Sequence, residues 1–149
     1  MSEQRIVTNI ENGTVIDHIP AGKGKKIFEI LKLGEHDGRS VLLINTFSKK
    51  LGRKDVIKVE NKEIGEKEIN KIALFAPNAT ISIIRNWEVA EKRKVELPEI
   101  IENVASCPNK NCITNSEEIF KSKFVVEKKD PLKLRCWYCE KVFGIEEIM

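Results

Sequence analysis

The placement of the four cysteines constrains this chain more than any other feature. None occurs before Cys107, and all four fall in the pattern Cys107-x4-Cys112, 23 residues, Cys136-x2-Cys139. A terminal segment of about fifty residues buries little apolar core by itself, so a staple is expected there. Two closely spaced pairs converging from the ends of a small domain are the signature of a Zn²⁺ site with four thiolate ligands. Tetrahedral Zn²⁺ takes thiolates at about 2.3 Å, and short loops let both sulfurs of a pair face one ion while backbone N–H groups point at the sulfur. Two disulfides are the plainer alternative, disfavoured where thiols stay reduced, and four unconnected buried cysteines are another. A redox Cys-x-x-Cys reading of Cys136 and Cys139 lacks the βαβ frame that would support it. Four thiolates leave no open coordination position, so the expected metal, one Zn²⁺ per chain held by Cys107, Cys112, Cys136 and Cys139, is structural. Lys110, Lys133, Arg135 and Lys141 lie nearby in sequence and could offset the net negative charge of such a centre.

This segregation divides the chain near Pro98, into residues 1–98 and 99–149. Pro98 is expected to open a short helix over Pro98–Val104. Phe124–Lys128, Leu132–Cys136 and Lys141–Phe143 read as short strands around the cysteines. In the first part, Arg5–Ile10 and Thr14–Ile19 read as the arms of a hairpin across Glu11-Asn12-Gly13. Ile27, Ile30 and Leu31 form one helical stripe within 22–33; Ile69, Ile72, Ala73 and Ala76 form another, stopped by Pro77. Ser40–Asn45, Asp55–Val59 and Thr80–Ile84, continuing into Trp87–Val89, are short and mostly β-branched. The order β, α, β, β, α, β predicts an α+β fold: a ferredoxin-like antiparallel sheet with two helices, followed by a small antiparallel-β zinc domain.

Net charge is only +3, from 26 basic and 23 acidic residues, too balanced for a strong field towards nucleic acid or membrane. No run of about 18 apolar residues occurs, and the start lacks a signal-peptide pattern, so the expected location is the cytoplasm. Two histidines and four scattered aspartates assemble no nucleophile with a paired base and no carboxylate cluster. The expectation is a chain that is not an enzyme. Ala21-Gly-Lys-Gly-Lys-Lys26 lacks the spacing and the Ser or Thr of a phosphate-binding loop and reads as a basic helix start. Asp17 and His18 sit inside an otherwise apolar strand, where each needs a partner or solvent. Lys58 and Lys92, taken singly, read as solvated faces.

Taken together, Gly13-Thr-Val-Ile-Asp-His-Ile-Pro-Ala21, Gly52-Arg-Lys-Asp55, Ile57-Lys-Val-Glu-Asn61, Ala73-Leu-Phe-Ala-Pro77, Leu97-Pro-Glu99, the Cys107–Cys112 loop with Pro108 and Asn109, and Cys136-Trp-Tyr-Cys-Glu140 resemble the regulatory chain of aspartate carbamoyltransferase over nearly the whole sequence. The resemblance implies an N-terminal domain that binds CTP or ATP as allosteric effectors and pairs with its copy in a homodimer. It further implies a C-terminal zinc domain that contacts the catalytic chains. It places nucleotide contacts on Ile10, Val15, Asp17, His18, Val56, Lys58, Ser82, Trp87, Val89 and Lys92. Of these, Lys92 and His18 would lie towards the phosphates, and Asp17 and Lys58 near the ribose. Thr8, Ser82 and Trp87 depart from the family, standing where other members carry Glu, Asn and Tyr.

A zinc-ribbon module binding nucleic acid is the competing reading, because Trp137 and Tyr138 could stack on bases. It would need a basic aromatic surface, yet aromatic residues make up 6% of the chain and its basic runs are interleaved with Glu, as in Glu91–Glu96.

Overall fold

The computed structural model describes residues 9–129 and 131–148. The chain divides between Glu96 and Leu97 into two compact units. The first carries β1 (Gly13–Pro20), α1 (Gly24–Ile30), β2 (Ser40–Ser48), β3 (Gly52–Glu60), α2 (Glu66–Phe75), β4 (Thr80–Arg85) and β5 (Glu88–Lys94). These strands form one sheet in the order β2-β3-β1-β4-β5, every neighbouring pair antiparallel. The first four strands and two helices have the ferredoxin-like order; β5 extends the sheet beyond β4.

Period-two alternation gives the sheet two distinct faces. Ile57, Ile16 and Ile81 lie on one rung across β3, β1 and β4 and are at most 1% exposed. This is the face the helices cover, and they add Ile27, Leu31, Ile69, Ile72 and Ala73 to its core. Each such isoleucine contributes about 1.5–3 kcal/mol by leaving water. The second helix starts three residues earlier than its apolar stripe: Glu68 reaches back to the Gly65 N–H at 3.4 Å, and Glu66 and Glu68 suit the positive helix start. It stops before Pro77, as the stripe predicts.

The loop before α1 is a basic helix start, ordered by one buried carboxylate. Asp55, 1% exposed, accepts the backbone N–H of Gly22 (3.0 Å), Gly24 (2.8 Å) and Asn45 (2.8 Å). Gly24 is obligatory here, since a Cβ would lie 2.7 Å from the Asp55 side chain.

One expectation for this unit lies largely outside the described residues, and another fails. For the hairpin, Arg5–Thr8 lie outside the described residues, and β1 is already bonded on both flanks, to β3 and β4. The strand β4 does not continue through Trp87. Asn86 (φ 53°) and Trp87 (φ 71°) turn the chain back into β5 in the doubly left-handed geometry of a tight hairpin, tolerated here by Asn86.

The second unit holds β6 (Ile100–Glu102), α3 (Ile113–Ser116), β7 (Lys123–Lys129), β8 (Leu132–Cys136), β9 (Val142–Gly144) and α4 (Ile145–Ile148), its strands forming an antiparallel meander in chain order. The helix expected from Pro98 is instead β6. Ile101, 2% exposed, pairs with Phe124, which pairs in turn with Cys136; only a strand delivers Ile101 into that rung while leaving Ile100 and Glu102 outside. Tertiary pairing overrides local helix signals. No helix among the described residues is long and apolar enough to cross a membrane.

Candidate effector cleft and metal centre

The sheet face opposite the helices carries a cavity of about 380 Å³. Register explains its lining. Lys58 on β3 pairs with Val15 on β1, Val15 with Ser82 on β4, and Ser82 with Lys92 on β5, so one rung crosses four strands. Two residues along β1 in one direction is the rung of Ile84 and Val89; two in the other is that of Asp17 and Thr80. Successive rungs on one face are about 6.8 Å apart. The cavity therefore runs from an apolar end, with Ile10, Ile84, Trp87 and Val89, to a polar end at Asp17, His18 and Thr80, with Lys58 and Lys92 between.

A regular strand would send Asp17 and His18 to opposite faces. Here β1 shifts register between Ile16 and Ile19, and His18 takes a left-handed φ of 58°, a bulge that brings both side chains to the cavity. Each finds the partner its burial demands. Asp17 Oδ1 accepts the His18 N–H at 2.6 Å and faces Lys54 Nζ at 2.9 Å; His18 Nδ1 is hydrogen-bonded to Thr80 Oγ1 at 3.2 Å. Lys58 is 6% exposed, which corrects its reading as a solvated face, whereas Lys92 is exposed on the edge strand. Two lysines against one carboxylate already held by Lys54 make the lining suited to an anion.

Nine of the ten residues singled out in the sequence thus line one cavity: Ile10, Val15, Asp17, His18, Lys58, Ser82, Trp87, Val89 and Lys92. Val56 does not. It is 4% exposed and lies on the stretch of β3 that faces the bulge, between the registered pairs Ile16 with Ile57 and Ile19 with Asp55. Asn9, Thr80 and Ile84 also line the cavity and were not singled out. For Thr80 and Ile84 the signal is the register that sets them beside Asp17 and Val89, which follows from strand pairing.

In the second unit the four cysteine sulfurs all lie within 4.8 Å of one another. Cys107 Sγ and Cys139 Sγ are 3.7 Å apart, as are those of Cys112 and Cys136, far beyond a disulfide bond of about 2.05 Å. All four cysteines are free. Backbone N–H groups of Asn109, Thr114, Tyr138 with Cys139, and Lys141 donate to Cys107, Cys112, Cys136 and Cys139 respectively. Two tight loops supply these donors. Asn115 Nδ2 donates to the carbonyls of Cys107 (2.9 Å) and Asn109 (2.7 Å), fastening the first. The second closes through the Glu140 N–H on Cys136 O at 2.9 Å, with Glu140 left-handed at φ 63°.

Burial pushes the Cys107 and Cys136 thiols up. Burial also opposes ionisation of Cys139, but the Lys141 N–H, the Asn109 side chain and neighbouring thiols draw it down to about 7. Cys112 is lowered too: burial raises it, and the Thr114 hydroxyl and N–H outweigh that. Four converging thiols with N–H donors behind them fit a metal ion with a closed, tetrahedral sulfur shell. Arg135, expected to offset this charge, is bound to Glu127 Oε1 instead.

An anion-suited cleft on an open sheet face in one unit and a four-thiol centre in the other define a chain with a candidate small-molecule site and a candidate metal site. Comparison with known proteins makes this specific. Residues 5–96 match the family model of the aspartate carbamoyltransferase regulatory chain, allosteric domain, and residues 99–149 that of its metal binding domain. The regulatory chain of Pyrococcus horikoshii is 59% identical over 145 residues, covering 96% of this chain and 95% of that one. Those of Pyrococcus abyssi and Korarchaeum cryptofilum are 56% identical (96% of this chain, 95% of that one) and 45% identical (100% and 96%). The chain belongs to the family of aspartate carbamoyltransferase regulatory chains, and it is a non-catalytic subunit.

Proposed function

We propose that the first unit binds a nucleoside triphosphate, CTP or ATP, as an allosteric effector. The second holds one structural Zn²⁺ and attaches the chain to the catalytic chains of aspartate carbamoyltransferase, in the cytoplasm and in the service of pyrimidine biosynthesis. The observation that carries the effector reading is the graded cleft, whose three rungs pass from apolar through cationic to polar. A nucleotide likewise joins a flat, largely apolar base to a polar, anionic ribose and phosphate portion. Its base suits Ile84, Trp87 and Val89, and its ribose hydroxyls suit Asp17 and Lys58. The phosphates suit Lys92 and His18, where an ammonium acts as a point charge. The cavity volume is within the range of small-molecule sites, about 300–1,000 Å³.

For the metal, a tetrahedron with arms of about 2.3 Å has edges of about 3.8 Å, close to both 3.7 Å sulfur separations. An all-thiolate shell of this size selects Zn²⁺ over oxygen-seeking cations, and its role is to hold the fold. A homodimer is supported by the contrast between the sheet's two edges. The β5 edge is rich in charge, whereas the β2 edge and its turn expose Ile44, Phe47 and Leu51.

Calorimetry on the full chain tests the effector reading. Saturable binding of CTP or ATP supports it; no heat from either near millimolar concentration overturns it. Metal analysis should return one zinc per chain. Cys139→Ala should abolish co-migration with catalytic trimers while leaving nucleotide binding in place, and co-migration after metal removal would refute attachment through the metal domain.

A further inference from the structure

The apolar end of the cleft is not finished by the protein. Trp87 is 62% exposed and Val89 58% exposed, although both line the cavity. An indole so exposed leaves a large apolar area in water, area that a ligand can remove. Its backbone is nevertheless held firmly. The Trp87 N–H donates to Glu11 O at 2.8 Å, and the preceding Asn86 N–H donates to Asn12 Oδ1 at 3.1 Å. Both anchors lie in the segment that enters β1, the strand forming the cavity floor. The turn is thus fixed by two hydrogen bonds to that segment while the ring is left exposed at the cavity mouth. The Trp87 backbone N–H is already committed to Glu11, so what the residue offers the base is its side chain, the indole face with its Nε1–H at the edge.

We infer that Trp87 is a stacking platform for the effector's base and sets a preference for purine over pyrimidine nucleotides. The inference rests on the nucleotide reading above. Stacking on an aromatic ring is tolerant of base identity because every base has a π-face, but a two-ring base covers more of an indole than a one-ring base does. The rest of the cleft meets the ribose and phosphates common to both classes, so discrimination falls to the apolar end, where the exposed indole is the largest surface available.

The test uses the full chain with Trp137→Phe, so that Trp87 is its one tryptophan of the two in the sequence. ATP, CTP and inorganic tripolyphosphate are titrated into this background and into Trp87→Ala and Trp87→Phe made on it. The expected result is a loss of about 5- to 150-fold in ATP affinity in Trp87→Ala, with the ATP-to-CTP preference falling by about fivefold. Trp87→Phe should retain most of that preference, tripolyphosphate should be unaffected, and ATP should quench the indole emission more than CTP. Equal weakening of ATP and CTP, or ATP affinity within about twofold of the parent, overturns the inference while leaving nucleotide binding standing. Absence of binding by both nucleotides in the parent chain overturns the underlying reading itself.

Discussion

The two units solve the problem of stability in opposite ways. The first wraps a rung of Ile57, Ile16 and Ile81, each at most 1% exposed, beneath two helices that supply further buried side chains. It closes a core from one face of its sheet alone, which leaves the other face able to carry a cleft with charged walls. The second has a four-stranded meander and only a short apolar column, Ile101, Phe124 and Leu134 with Phe143, whose central rung ends on Cys136. That column terminates in one of the four clustered cysteines. Where two helices cover one face of a sheet, polar residues can line the other; where the cover is one short helix carrying Ile148, the cysteines are gathered at the end of the apolar column.

The largest effect that could break this contrast is metal removal. Chelation should unfold residues 97–149 and leave the first unit folded, because structural Zn²⁺ contributes an apparent ~10–16 kcal/mol in small metal domains. Hydrogen exchange with and without chelator measures it; protection lost evenly over both units would mean that they share one stability. Next in size is Ile57→Ala, which opens a cavity in the helix-covered core. It should destabilise the first unit by about 2–5 kcal/mol with zinc content unchanged, read by denaturant unfolding alongside metal analysis. Zinc lost from this variant under native conditions would erase the distinction.

The same contrast explains what could be read in the sequence. The helix stripes, the stop at Pro77 and the cysteine pairs are local signals whose physics acts within a few residues, and the structure carries each of them. The costly pair Asp17 and His18 demanded partners, but which partners depended on pairing: Lys54 and Thr80 are distant in sequence, and the bulge that aims both side chains one way is a property of the sheet. Trp87 reads as part of a continuing strand on β-branched content alone, and Asn86 is the residue that signals the turn. Ile100-Ile101 read as helical from its proline, and only its pairing with Phe124 makes it a strand. The family resemblance reached nine cavity residues that periodicity alone would not have joined, and it also carried Val56, which the bulge region leaves off the cavity.

A binding measurement sharpens the comparison on the side of the open face. Lys92 is exposed, on the edge strand, and takes part in the four-strand rung. Lys92→Ala removes one charge-assisted contact, about 1.5–3 kcal/mol, and should weaken CTP or ATP binding by about 10- to 100-fold. Stability and zinc content should be unchanged, since no buried group depends on an exposed edge lysine. Calorimetry of wild type and variant decides it, and equal affinities would remove Lys92 from the site.

The smallest expected effect compares two left-handed turn residues, one from each unit. Glu140 closes the second cysteine loop at φ 63°, and Asn86 opens the β4–β5 turn at φ 53°. A left-handed backbone costs an ordinary residue about 1–2 kcal/mol, whereas Asn adopts it far more readily. Glycine relieves that strain but adds freedom to the unfolded chain, worth about 0.4–1 kcal/mol in the opposite direction. Glu140→Gly should therefore gain about 0.5–1 kcal/mol, and Asn86→Gly should come out near zero or slightly unfavourable. Because folding of the second unit is coupled to metal binding, the gain at Glu140 should appear as zinc held about 2- to 5-fold more tightly against a competing chelator. Asn86→Gly should leave that competition untouched. An unchanged zinc affinity in Glu140→Gly would show that the loop around Cys136 and Cys139 stores no strain at Glu140, and that its N–H···S donors are held in place without any conformational cost from the residue that closes it.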